Sequence, residues 1–169
     1  MIRPARPGEE EAILAVVTAA FSDSTRDGSE ERDIVRGTWA SCTADRRVEL
    51  VAVVDGNVAG HLLAAPGRLD GAPVDVAGVA PVCVGPRYQG RGVGRALMEA
   101  VLREAADRDW PMLVLLGDPA FYGRFGFERA GPLGIAYAPA GADSPHFLAR
   151  RLRDDGGPSP GSFTYCWEH

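Results

Sequence analysis

Residues 89 to 95 read Gln-Gly-Arg-Gly-Val-Gly-Arg, with Gly90, Gly92 and Gly94 at alternate positions and Arg91, Val93 and Arg95 between and after them. Glycines at a strand-to-helix turn remove Cβ atoms, so backbone N–H groups can close on an oxyanion while the helix N-terminus adds its positive dipole. The pattern is that of a phosphate or pyrophosphate cradle. Two cradles are excluded by the residues themselves. A dinucleotide-binding GxGxxG starting at Gly90 needs a small residue at position 95, where Arg95 stands, and a P-loop needs a lysine, of which the chain has none.

Elements on either side must position this loop. Positions 74–84 form a long extended run containing Pro81, and a helix over 92–107 follows the loop with Val93, Leu97, Val101 and Ala105 as its buried stripe. Its outer face carries Arg95, Glu99, Arg103 and Asp107, opposite charges at i,i+4. Upstream, residues 2–6 suit a short edge strand and the acids at 9–11 suit a helix start, with Ile13, Val16, Val17 and Ala20 as that helix's stripe. A polar stretch at 22–31 leads to a weaker helix over 31–38. Strands over 48–54 and 58–65 flank Asp55-Gly56-Asn57, a hairpin signal, and Asp70-Gly71-Ala72-Pro73 marks the next turn. Downstream, 112–116 reads as a short buried strand, 119–124 as a short helix, and the tail as loops with strands near 147–152 and 163–167. This order predicts one domain over 1–169 of α+β, mixed α/β class.

Composition narrows the partners. With 46% apolar and 24% charged residues the chain can build a core, and its formal charge of −5 disfavours nucleic acid, whose phosphates call for a net basic surface. An acidic protein draws cationic partners such as amines. The N-terminus lacks the apolar run of a secretory signal, and the longest apolar stretch, 12–21, is too short to span a bilayer. A soluble, cytoplasmic protein is expected, with no membrane partner. Cys42, Cys83 and Cys166 show no CxxC spacing, so buried free thiols are expected rather than disulfides or a metal site.

What fits the loop is Gln/Arg-x-x-Gly-x-Gly/Ala, met by Gln89 through Gly94. Together with Val82-Cys83-Val84-Gly85-Pro86, Met112-Leu113-Val114-Leu115-Leu116 and the segment LGDPAFYGRFGF ending at Phe127, it resembles the GCN5-related N-acetyltransferases (GNAT), and within them the YhbS-like subgroup. The likeness covers about residues 1–135 and thins in the tail. It implies an acyl-CoA N-acyltransferase fold: a central mixed, twisted sheet of about six to seven strands flanked by about four helices. It also implies acetyl-CoA as co-substrate, no metal, and transfer of the acetyl group to an amine of a small molecule or peptide. The acceptor's identity and the oligomeric state are not legible.

The resemblance assigns roles. Backbone N–H groups of Gln89, Gly90, Arg91, Gly92, Val93 and Gly94 hold the pyrophosphate, with Arg91 and Arg95 as charge-assisted donors, although Arg95 suits equally an exposed pair with Glu99. Val82, Cys83 and Val84 supply amides to the pantetheine arm and the thioester oxygen where the central strand parts from its parallel neighbour. Pro81, which cannot donate to a ladder, implies a bulge or an unpaired side there, or else only the strand's start. Tyr122 matches the tyrosine that protonates the leaving thiolate; the alternative is one more ring in an aromatic cluster. Asp118 before Pro119 suits a helix N-cap. No carboxylate lies on the strand over 74–84 beyond Asp75, and among Glu49, His61, Asp70 and Asp75 none is singled out as the base. That gap keeps open a non-catalytic acyl-CoA-binding module of the same fold.

Overall fold

A computed structural model describes residues 1–141, 144–154 and 157–168. Strand β1 (Ile2–Pro4) is followed by helices α1 (Glu10–Phe21) and α2 (Ser29–Ser41), then by the meander β2 (Val48–Val54), β3 (Asn57–Leu69) and β4 (Ala72–Val84). Helix α3 (Val93–Asp107), strand β5 (Met112–Leu116) and the single-turn α4 (Pro119–Tyr122) complete the part that carries the loop. The tail adds β6 (Glu128–Arg129), β7 (Ile135–Ala136), β8 (Phe147–Arg151) and β9 (Gly161–Thr164).

The sheet runs β1-β2-β3-β4-β5-β8-β6, with β9 on β3 and β7 on β9; among the described residues only β4–β5 and β7–β9 are parallel. Nine strands among the described residues exceed the expected six to seven. The excess lies in two-residue strands, β6 and β7, which are too short to show an alternating pattern. Four α-helices among the described residues match the expectation.

Alternation along the strands divides the core. Leu62, Ala64, Ala77, Val79, Leu113 and Leu115 face α3, whose Leu97, Met98 and Val101 are fully buried against them. Each such side chain contributes roughly 1.5–3 kcal/mol. On the other face Val51, Leu63 and Cys83 meet Ile13, Val16, Val17 and Val35 of α1 and α2. Beside them Val76, Met112 and Val114 meet the tail rings Tyr137, Phe147, Phe163 and Tyr165.

Two features of β4 prepare the site. Leu62 pairs with Val82 but Ala64 with Val79, so Ala80 and Pro81 together oppose Leu63 in a bulge that answers the question Pro81 raises. The extra residue reverses the alternation: Val82 joins the α3 side and Cys83 the α1/α2 side. Secondly, β4 pairs with β5 only at Ala77–Leu113 and Gly78–Val114. Beyond Gly78 the two strands part.

Candidate functional site

The parting strands make a wedge. One side is β4 from Val79 to Val84, of which Ala80, Val82 and Val84 are partly exposed. The phase of the β3–β4 ladder decides what this side offers. Gly85 N–H donates to Ala59 O at 2.7 Å, and the same register pairs Cys83 with His61. Hydrogen-bonded pairs recur at every second residue of an antiparallel ladder, so Cys83 exchanges its backbone bonds with His61. Val82 and Val84 then turn their N–H and C=O groups to the open edge. The Cys83 amide, expected to face the wedge, is directed into β3 instead. Gln89 Nε2 reaches the Val84 carbonyl on the open side at 3.3 Å.

The glycine loop stands at the mouth. Gly90 and Gly92 have φ of +78° and +79°, and a Cβ on either would meet nothing within 4 Å, so open space lies over both. Gly92 is the N-cap of α3 and no side chain caps that helix. A fifteen-residue helix thus begins with exposed, uncapped amides, a cradle suited to an oxyanion. Arg91 is exposed near the Tyr88 ring, and Arg95 bonds Glu99 at 2.9 Å on the open surface, as its alternative reading expected. Val93 is partly buried and packs toward Gly60, where a Cβ would lie 3.1 Å from Val93 Cγ1. A Cβ on Gly94 would lie 3.6 Å from Phe121 Cζ and 3.7 Å from Val84 Cγ2, so loop, β4 and α4 converge there.

The far side of the wedge is the end of β5 and α4. Asp118 caps α4 by accepting from Ala120 N at 2.9 Å, the role its place before Pro119 suggests. Tyr122 packs against Gly117, where any Cβ would strike its ring, and meets Phe121 and Phe127 edge-on at 4.9 and 6.0 Å between centroids. Burial pushes the Tyr122 phenol above its ordinary pKa, so it is protonated at neutral pH.

A second polar cluster lies under α2. The Glu49 carboxylate accepts from Trp39 Nε1 and from His61 Nε2, each at 2.8 Å; His61 is fully buried and its Nδ1 has no hydrogen-bond partner among the described residues. Burial alone would raise the Glu49 carboxyl, but the bonds from His61 and Trp39 and the charge of Arg47 outweigh it and hold the pKa below the ordinary range. No spacing in the sequence signals this cluster, because Glu49 and His61 meet only through the β2–β3 register. Asp70 instead binds Ser162 N and Asp75 lies exposed. All three thiols are raised by burial, Cys83 to about 12. Among the described residues no cluster of three His, Cys, Asp or Glu could hold a metal, and no helix is long and apolar enough to cross a membrane.

Residues 1–130 match the family model of the acetyltransferase (GNAT) domain. The chain belongs to the GNAT family. Among curated relatives, this GNAT chain is 36% identical over 107 residues to the uncharacterised N-acetyltransferase YhbS of Escherichia coli K12, covering 63% of this chain and 64% of the relative. It is 30% identical over 120 residues to the uncharacterised N-acetyltransferase YjhQ of the same strain, covering 69% of this chain and 62% of that one. The matches thus span just under two thirds of those relatives. Among solved structures, the crystal structure of E. coli YhbS in complex with CoA superposes with a TM-score of 0.83 at 29% identity, covering 98% of this GNAT chain and 88% of that one. A GNAT acetyltransferase of Brucella melitensis in complex with acetyl-CoA gives 0.74 at 29%, covering 98% and 94%. The mixed-sheet GNAT fold expected from the loop and the FYGRFGF segment is the fold observed.

Proposed function

We propose that this GNAT chain is an acetyl-CoA-dependent N-acetyltransferase that passes the acetyl group directly to an amine of a small molecule or peptide. The observation that carries the reading is the wedge: β4 leaves β5 after Gly78 and presents the backbone of Val82 and Val84 to a gap whose mouth is the Gly90–Gly92 cradle and whose far wall is Tyr122. Two relatives of the same fold were solved with CoA and acetyl-CoA. The uncapped amides at Gly92 to Gly94 fit a pyrophosphate, the free edge of β4 fits an extended arm with amide groups, and the thioester reaches Tyr122.

In the reaction the amine nitrogen attacks the thioester carbon, the N–C bond forms and the C–S bond breaks. The free edge of β4 donates to the carbonyl oxygen as negative charge grows on it. Tyr122 hands its proton to the departing sulfur and is reprotonated from water; the proton lost by the amine leaves to solvent. The buried, neutral phenol suits the donor's role. The wedge strand carries no carboxylate within the gap, and the Glu49 carboxylate is already bound by Trp39 and His61, so no side chain is assigned as a dedicated base.

The test is release of free thiol from acetyl-CoA across a panel of primary amines, beside binding of acetyl-CoA by calorimetry. Amine-dependent thiol release supports the reading. Tight binding with no release from any amine would favour the non-catalytic acyl-CoA-binding alternative.

A further inference from the structure

The family model ends at residue 130, yet the tail beyond it reaches the apex of the wedge. Strand β9 pairs with β3 at Arg68–Thr164 and Leu69–Phe163, and the chain then runs on toward α2, where Trp167 packs on Gly37. From this path Tyr165 extends across the sheet onto Gly78, the last β4 residue still paired with β5. The contact is close enough that a Cβ at position 78 would clash with the Tyr165 ring carbons Cδ1 and Cε1. Only glycine allows the ring to settle there.

Several observations fix the ring's surroundings. Tyr165 is 2% exposed, stacks on Trp167 at 4.2 Å, and meets Phe163 and Tyr137 edge-on at 5.0 and 5.3 Å. Ala80, the next β4 residue on that face and partly exposed in the wedge, packs on the same cluster. The rings hold the side chain by area and shape alone, for the Tyr165 hydroxyl makes no hydrogen bond among the described residues, whereas its neighbour Tyr137 donates to Glu168 Oε1 at 2.7 Å. Tyr122 lies near enough for its charge, if ionised, to oppose ionisation of Tyr165; burial first, then Tyr137 and Glu168, raise the Tyr165 phenol further. Two phenols therefore flank the wedge from opposite faces of the sheet: Tyr122 with the α3 core and Tyr165 with the tail core.

The faces are not equivalent for the reaction. Tyr122 takes the side of the leaving sulfur, so the incoming amine has the other face, the one Tyr165 covers. We propose that the Tyr165 hydroxyl contacts the acceptor amine at the thioester, accepting a hydrogen bond from its N–H and so turning the nitrogen lone pair toward the carbonyl carbon. A neutral phenol does this without adding charge, and a hydroxyl with no partner of its own has its lone pairs free. The assignment rests on the acetyltransferase reading above and gives the tail a part in acceptor binding and positioning.

Tyr165→Phe tests it, since the substitution keeps the ring and its stacking and deletes only the hydroxyl. With acetyl-CoA saturating, kcat/KM for a primary amine that the parent acetylates should fall about tenfold, the scale of one hydrogen bond held in a desolvated site. The dissociation constant for acetyl-CoA and the melting temperature should match the parent, because the hydroxyl holds nothing in the free protein. Unchanged kcat/KM in Tyr165→Phe beside an active parent overturns the proposal, and so does an equal loss of acetyl-CoA affinity, which would place the hydroxyl on the donor side. A parent that binds acetyl-CoA but acetylates no amine overturns the activity reading and this assignment with it. That result is distinct, because it appears before any variant is made.

Discussion

Replacing Gly92 by valine separates what the cradle does for stability from what it does for binding. Gly92 sits at φ +79° with open space over its Cα, so valine meets no steric clash but must adopt a left-handed backbone. That conformation costs an L-residue about 1–2 kcal/mol, at the upper end for a β-branched side chain. For a chain of this size the melting temperature should drop by about 2–8 °C. The same side chain would stand over the amides of Val93 and Gly94, where the pyrophosphate is proposed to lie. Acetyl-CoA at a hundred times its dissociation constant should stabilise the parent by about 2.7 kcal/mol, an upward shift of about 5–10 °C. Gly92→Val should abolish that shift. Gly56 supplies the control: its φ is +78°, a Cβ there also meets nothing within 4 Å, and it lies in the β2–β3 turn. Gly56→Val should lose similar stability and keep the whole ligand shift. Differential scanning fluorimetry with and without acetyl-CoA reads both effects. A Gly92→Val protein that gains as much from acetyl-CoA as the parent refutes the assignment of the cradle.

Further outcomes are expected from the same geometry. Tyr122→Phe should cut turnover by about a hundredfold, the lower end for general acid catalysis because a thiolate leaves readily, with acetyl-CoA affinity within a few-fold; steady-state kinetics and calorimetry check the pair. Since burial holds the Cys83 thiol at about 12, intact-mass spectra after mixing with acetyl-CoA should show no acetylated protein; a thioester adduct absent from Cys83→Ala would overturn direct transfer. Glu49→Ala should destabilise by about 3 kcal/mol, two charge-assisted hydrogen bonds being lost from Trp39 and His61, and leave acetyl-CoA binding intact in urea-melt and titration measurements. Acid should weaken the fold in a defined window. Glu9, bonded by Arg3 and the Arg6 amide, is lowered from its ordinary 4.5 to about 2, and Glu49 is lowered too, so their contribution is complete above the ordinary carboxylate pKa and lost as pH falls through the depressed values. Melts from pH 6 to 2 should show this decline and a shallower one in Glu49→Gln.

The parts of the site that residues settle with their own neighbours were legible in the sequence. The cradle is such a part, because alternating glycines at a strand-to-helix turn act through local φ and the first amides of α3. The stripe of α3, the Asp55-Gly56 hairpin, the strand at Met112–Leu116 and the Asp118 cap are local in the same sense. Pro81 announced an irregularity, but its kind and consequence required the register. One extra residue in β4 moves Cys83 to the α1/α2 face, and the ladder phase gives its amide to His61 while Val82 and Val84 keep theirs for the wedge. Glu49 and His61 are twelve residues apart and meet only because β2 and β3 align as they do. Tyr165 reaches Gly78 across 87 positions of chain, and nothing near either residue marks the partner. Backbone preference and helical or strand periodicity act over a few residues and can be read one window at a time; strand register and tail docking follow from how all the apolar faces are buried together, so the tertiary structure alone decided which polar groups face the gap.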